Sequence, residues 1–226
     1  VLLGSCTIAS DGKNTPNSAS ASEGSLKTVT PGKLTIATGE PAYSPWVENN
    51  DPASGKGFEA AVAYAVAGKL GFANADVVWV RSTFDAAVAP GAKDWDFNLQ
   101  QFSITEERRN AVDFSSPYYT TAQAVVTLKG SPVSGATTVA ELKGALLGAQ
   151  TGTTSHRMLT ETVAPTTAPS VFNNSQDTVQ ALKGGQVDAI VVDLPTALYL
   201  VAAELDGGVV VGQFADTSGG DQFGLV

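Results

Sequence analysis

The sequence predicts an α/β protein with largely parallel sheets, and three observations carry that prediction. After Lys33, short apolar runs alternate with segments of helical period. Gly, Asn, Ser and Pro punctuate the boundaries between them. No apolar run approaches the roughly 18 residues that a membrane-spanning helix needs. At 226 residues, with 43% hydrophobic and 15% charged, the chain can bury a sizeable core and has the composition of a globular protein.

Residues 34–37 (LTIA) read as the first strand. Phe58, Val62, Ala65, Val66 and Leu70 recur at three- and four-residue spacing, which predicts a helix whose stripe faces a sheet until Gly71 ends it. Residues 77–80 form the next strand, and residues 96–100 another after a short helix. Residues 124–128 are a further strand. After residues 139–142, the run 145–149 opens a second α/β unit, so a crossing between two lobes is expected near residues 121–129. Asn174 or Ser175 can cap a helix containing Val179 and Leu182, and Gly184-Gly185 ends it before the apolar strand 187–192. A strand at 209–211 and the segment 221–226 finish the chain.

Thirteen basic against twenty-two acidic residues leave a formal charge of −9, which repels nucleic-acid phosphates and gains little from an anionic membrane. The single cysteine, Cys6, permits no intrachain disulfide, and no Cys/His set exists for a structural zinc site. No metal or cofactor is expected. The single histidine, His156, has no evident triad around it, so a capping or solvated role suits it better than catalysis.

Cys6 follows Val1-Leu2-Leu3-Gly4-Ser5, an apolar stretch ending in small residues. This resembles the lipobox of bacterial lipoproteins, which implies that Cys6 carries lipid. Residues 7–32 are rich in Ser, Ala, Asn, Gly and Thr without periodicity and read as a tether with a root-mean-square reach of roughly 28 Å.

Three stretches then resemble the amino-acid-binding proteins of ATP-driven (ABC) importers. The first is Pro41-Ala42-Tyr43-Ser44-Pro45-Trp46 followed by Gly57-Phe58-Glu59. The second runs Phe102-Ser103-Ile104-Thr105-Glu106-Glu107-Arg108 and continues through Val112-Asp113-Phe114 to Pro117-Tyr118-Tyr119. The third joins Leu142-Lys143-Gly144, Gly152-Thr153-Thr154, the run 181–189 (ALKGGQVDA) and Asp193.

The resemblance implies a two-lobe periplasmic-binding-protein fold of type II with the ligand cleft between the lobes. Residues 1–32 are then the lipobox remnant and tether, 33–124 lobe one, 125–219 lobe two, and 220–226 a return towards lobe one, with a further segment expected after it. It also implies a non-enzymatic, monomeric, extracytoplasmic lipoprotein that captures a free amino acid and passes it to an ABC permease, touching the membrane through its lipid alone. A periplasmic dehydratase of the same fold, acting on prephenate or arogenate, and a receptor ligand-binding domain are the alternatives.

The implied site suits a zwitterion, whose two charges need partners once dehydrated. Arg108 is the implied carboxylate partner, since its planar fork of donors matches a carboxylate bidentately. Gly152, Thr153 and Thr154 are expected to close on the same carboxylate, between a strand and a helix where free N–H groups favour an anion. Asp193, with Ser103, is the implied acceptor for the ammonium group. Tyr43, Phe84 and Phe102 are candidate walls. Glu40 stands where some members contact cationic side chains, and Gln101 replaces a smaller polar residue. Taken singly, Arg108 also suits a surface pair with Glu106 or Glu107, Asp193 and Thr153 suit helix caps, and Trp46 and Phe84 suit a core.

Overall fold

A computed structural model describes residues 26–215 and 220–226. Cys6 and the tether up to residue 25 lie outside the described residues. The chain builds two sheet-centred lobes joined by a pair of short strands.

Lobe one is organised on three parallel strands in the order β2-β1-β3, with β1 at Leu34–Thr38, β2 at Val77–Arg81 and β3 at Phe97–Asn98. Helix α1, Phe58–Lys69, connects β1 to β2. Its packing departs from the expected stripe: the buried residues are Glu59, Ala60, Ala63 and Ala67, while Ala65 is exposed and Phe58 and Leu70 are 40% and 44% exposed. Small side chains let the helix axis lie close to Leu34 and Ile36, so Ala63 and Ala67 form the fully buried seam, with Val62 and Val66 of the expected stripe packed partly buried beside it. Helix α2, Phe84–Val88, adds Ala87 to a second cluster with Trp95 and Phe102. The expected strand at 96–100 shortens to two residues, and the chain then passes through Gln101 at φ 50°. The short helix α3, Glu106–Arg109, follows and is capped by Thr105, which accepts from the Arg108 N–H.

The crossing is narrower than expected and begins earlier. Strand β4, Tyr119–Thr121, pairs antiparallel with the chain's last strand, Asp221–Phe223, so that Thr121 faces Asp221 and Tyr119 faces Phe223. Beyond that last strand, Val226 exchanges both backbone hydrogen bonds with Asn98, tying the segment 221–226 into lobe one. Trp46 fills the junction, with ring centroids 5.4 Å from Tyr119 and 5.6 Å from Phe223.

Lobe two carries a five-stranded sheet. Strand β5, Gln123–Leu128, lies beside β8, Ala189–Asp193, and β9, Gly208–Gln213, and β8 continues to β6, Leu147–Gln150, and β7, Ser170–Phe172. The sheet is mixed and not largely parallel, because β5 follows the crossing directly and runs antiparallel to both neighbours. Its central strands are covered on both faces: Val125 and Val191 enter one core cluster while Ala124, Val126 and Ile190 enter the other. Burial on both faces explains why these strands read as unbroken apolar runs.

Helix α4, Val139–Leu142, precedes β6, and α5, Thr154–Arg157, follows it and widens into a π-helical turn. Helix α6, Ser175–Lys183, is capped by Asn174, which accepts from the Asp177 N–H at 2.8 Å. Helix α7, Leu194–Tyr199, starts at the end of β8. The last strand, Asp221–Phe223, is β10. Among the described residues no helix is long and apolar enough to cross a membrane.

Candidate functional site

A cavity of about 390 Å³ lies between the lobes. Lobe one lines it with Glu40, Tyr43, Phe84, Gln101, Ser103 and Arg108, and lobe two with Thr153, Thr154 and Asp193. These are nine of the expected residues, converging from five separated stretches of chain.

Arg108 leaves the first turn of α3 and points into the cleft. One guanidinium N–H group donates to the Ser103 carbonyl at 2.7 Å, another crosses to the Gly152 carbonyl of lobe two at 2.9 Å, and the group sits 5.1 Å from the Phe84 ring centroid. The surface ion pair belongs to its neighbour, since Arg109 lies 3.7 Å from Glu106. Burial lowers the Arg108 pKa, with the charge of Asp221 as the leading counterweight. The guanidinium therefore remains a cation, with N–H groups still available to a carboxylate.

Asp193 faces it from the end of β8. It stands at the cap position of α7 but makes no side-chain cap bond. Its Oδ1 instead accepts from the Gln123 side-chain amide at 2.7 Å. The residue borders the cavity while its carboxyl group is enclosed, and this desolvation, followed by the charge of Asp221, raises its pKa to about 7. The Gln123 amide also donates to Asp221 at 2.6 Å, and its carbonyl accepts from Ser155 at 2.6 Å. Asp221 accepts in turn from the Thr154 hydroxyl at 2.9 Å, which lies 3.2 Å from that of Ser103.

Several assignments change in detail. Phe102 is fully buried in lobe one, its ring 5.0 Å from that of Phe84, so it supports the wall and does not line it. Gly152 contributes its carbonyl to Arg108 and does not line the cavity. The Thr153 hydroxyl is taken by local capping, donating to Gln150 and accepting from the His156 N–H. Glu40 lies 3.5 Å from Arg81, so part of its charge is already met.

Two lobe-one residues reach across the cleft mouth. The Tyr43 hydroxyl accepts from the Gln176 N–H at 3.2 Å and lies 3.3 Å from Asn174 Oδ1, and the Trp46 indole N–H donates to Thr196 at 2.9 Å. Trp46 is 2% exposed, so it is both core and lobe-to-lobe contact. Sequence reasoning missed Gln123, Thr196 and the site role of Asp221. Asp221 alone had a usable signal, an acidic residue opening the return segment.

The arrangement lines one cavity with one cation, Arg108 of lobe one, and three carboxylates, Glu40, Asp193 and Glu204. Such a site can take a small molecule that carries a carboxylate and an ammonium a few ångströms apart.

The chain is 31% identical over 196 residues to a probable histidine-binding protein of Campylobacter jejuni, covering 84% of this chain and 71% of that one. Across the curated relatives it spans between 58% and 71% of their length. Among solved structures, an ancestral arginine-binding protein bound to glutamine superposes with TM-score 0.71 at 32% identity, covering 87% of this chain and 84% of that one. An ancestral amino-acid-binding protein, described as a precursor of cyclohexadienyl dehydratase, superposes with TM-score 0.68 at 27% identity, covering 86% and 80%. The fold is therefore the two-lobe, type II periplasmic-binding-protein fold. With its sequence profile matching residues 34–191, the chain belongs to the bacterial extracellular solute-binding proteins, family 3.

Proposed function

We propose that the protein captures a free amino acid by closing its lobes on the zwitterion and delivers it to the permease of an ABC importer. The observation that carries this reading is the opposition of Arg108 and Asp193 across one enclosed cavity. Arg108 takes the α-carboxylate through its remaining N–H groups, supported by Thr154, while Ser103 is a second acceptor for the ammonium. Asp193 takes the α-ammonium, whose charge favours the carboxylate form over the acid. Because the partners come from different lobes, ligand stabilises the closed form, the hinge behaviour for which periplasmic binding proteins are a standard example.

The side-chain end of the cavity is lined by Glu40, Glu204, Gln100 and Gln101, and Tyr43 forms a wall there. Carboxylates and amides without an added cation favour polar or cationic side chains over acidic ones. The named relatives, which include histidine- and arginine-binding proteins, support the same preference. A thermal-shift screen against the twenty amino acids tests the reading, because a ligand that binds only the folded state raises its melting temperature. A clear shift with histidine, arginine, lysine or glutamine is expected. The absence of any shift in folded protein would remove it.

A second reading, elimination from prephenate or arogenate, draws on Asp193, which near neutral pH can hold a proton opposite Arg108. We favour binding, and a simple absorbance assay for turnover of either compound separates the two. The protein acts as a monomer in this proposal, held to the membrane by lipid on Cys6. Light scattering and the mass of the cell-derived N-terminal peptide check both points.

A further inference from the structure

Behind the lobe-one wall of the cavity lies a carboxyl group that the capture scheme leaves unused. Glu59, in the first turn of α1, is 1% exposed, and among the described residues no cation lies within ion-pair distance of it. Its partners are neutral donors. Oε1 accepts from the Gln101 N–H at 2.8 Å and from the Tyr118 hydroxyl, and Oε2 accepts from the Gln101 side-chain amide.

A buried carboxylate without a counter-charge is unfavourable, and here desolvation raises the pKa to about 7 against the pull of the hydrogen bonds. An apolar residue would pack there without that penalty. What the carboxylate secures is visible at Gln101. That residue borders the cavity with φ 50°, a left-handed conformation that a non-glycine residue keeps only when its surroundings hold it.

We infer that Glu59 is a positioning residue for ligand capture: its carboxylate grips both N–H groups of Gln101, fixes that residue on the cavity wall, and through Tyr118 ties the wall to the start of β4. The inference rests on the amino-acid-binding reading and adds to it a residue that never touches the ligand. Glutamine replaces Glu59 poorly, because a carboxamide offers one acceptor oxygen, lacks the charge that strengthens these bonds, and requires the Gln101 amide to turn over to meet its NH₂.

The test compares wild type, E59Q, Q101A and the double variant by calorimetric titration with L-arginine, L-histidine and L-glutamine at pH 8. E59Q is expected to weaken the tightest of these by about ten-fold, the loss appropriate to one charge-assisted hydrogen bond. In the Q101A background the same substitution is expected to change affinity by less than about two-fold, since the effect runs through Gln101. Unchanged affinity in E59Q, or an equal loss in both backgrounds, overturns the inference.

If E59Q does not fold, or if none of the three ligands binds wild type, the ligand-free wild type still decides. The latter result would rule out these three as the ligand and leave the amino-acid reading to the screen of all twenty. Followed by NMR and identified by comparison with Q101A, the Gln101 amide signals are expected to shift with a midpoint near pH 7 as Glu59 titrates. Two other titratable groups face Glu59: Tyr118, which ionises well above 10.0, and Asp193, which titrates at about 7. The shift must therefore persist in D193N. Gln101 amide protons that exchange with solvent as fast as those of an unheld surface loop overturn the proposal.

Discussion

The two walls of the cavity set Arg108 opposite Asp193 and are held by different means. On the lobe-two side, Asp193 ends a strand buried among four others and is oriented by Gln123 at the start of the neighbouring strand. On the lobe-one side, Gln101 and Ser103 sit on the irregular segment after a two-residue strand, and Arg108 on the single turn of α3 that follows it. That segment is held by Glu59, by Thr105 at the cap of α3, and by the return segment, whose Gln222 carbonyl accepts from the Ile104 N–H at 2.7 Å. The difference teaches that a wall made from strand ends inherits its geometry from the sheet, whereas one made from loop needs buried polar supports. Damage to the supports should therefore harm lobe one more.

The largest expected effect breaks that support. Gly57 precedes α1 at φ 99°, and a Cβ there would lie 2.4 Å from the Trp46 carbonyl oxygen. Gly57→Ala is expected to cost about 4 kcal/mol, read by denaturant unfolding. A loss under about 1 kcal/mol would mean that the Trp46 loop moves freely and that lobe one is less constrained than argued.

Next in size is Arg108→Ala, which removes the cleft cation that the scheme assigns to the carboxylate. Affinity should fall by at least about 100-fold by calorimetry, the scale for removing one partner of an enclosed charge pair. Retained binding would place the carboxylate elsewhere.

The lobe-two wall yields a smaller, pH-dependent effect. Glu59 and Asp193 are both raised to about 7 from ordinary values of 4.5 and 3.8. Between about pH 4 and 7 the folded protein thus holds protons that the unfolded chain has released, so these groups make stability fall as pH rises through that window. Affinity runs the other way, because the ligand ammonium needs the carboxylate. Asp193→Asn should therefore melt higher than wild type at pH 8 and alike near pH 4. It should also weaken binding by roughly 30-fold at pH 8 and much less at pH 6. Identical melting curves at pH 8 would show that Asp193 is not desolvated.

The smallest effect tests the mouth of the cleft. Trp46→Phe keeps an aromatic ring and removes the indole N–H that reaches Thr196. A loss of about five-fold in affinity, seen mainly as faster release in stopped-flow fluorescence, is expected for one hydrogen bond of the closed form. Unchanged release would make this contact incidental to closure.

Much of this architecture was legible in the chain. The double-sided burial of β5 and β8 writes itself as apolar runs, and Arg108 and Asp193 stand in recognisable settings at a helix and a strand end. The face of α1 was legible only in part: Val62 and Val66 pack against the core as their spacing predicts, but the fully buried seam is alanine, which carries a weak hydrophobic signal. The supports were hidden for another reason. Gln123 meets Asp193 and Asp221 across 70 and 98 residues of chain, and Trp46 meets Thr196 across 150, so no local pattern marks them. An amide or a hydroxyl reads alike on a surface and at a junction, and only the folded crossing of β4 and β10 brings these groups together.

The central claim is that the two walls divide the two charges of one amino acid. Its most direct test is calorimetric comparison of the amino acid giving the largest melting shift with its methyl ester and its Nα-acetyl derivative. The ester removes the charge assigned to Arg108, and the acetyl group removes the charge assigned to Asp193. Both derivatives are expected to bind at least about 100-fold more weakly than the free amino acid. An Nα-acetyl derivative or an ester that kept the parent affinity would contradict the account.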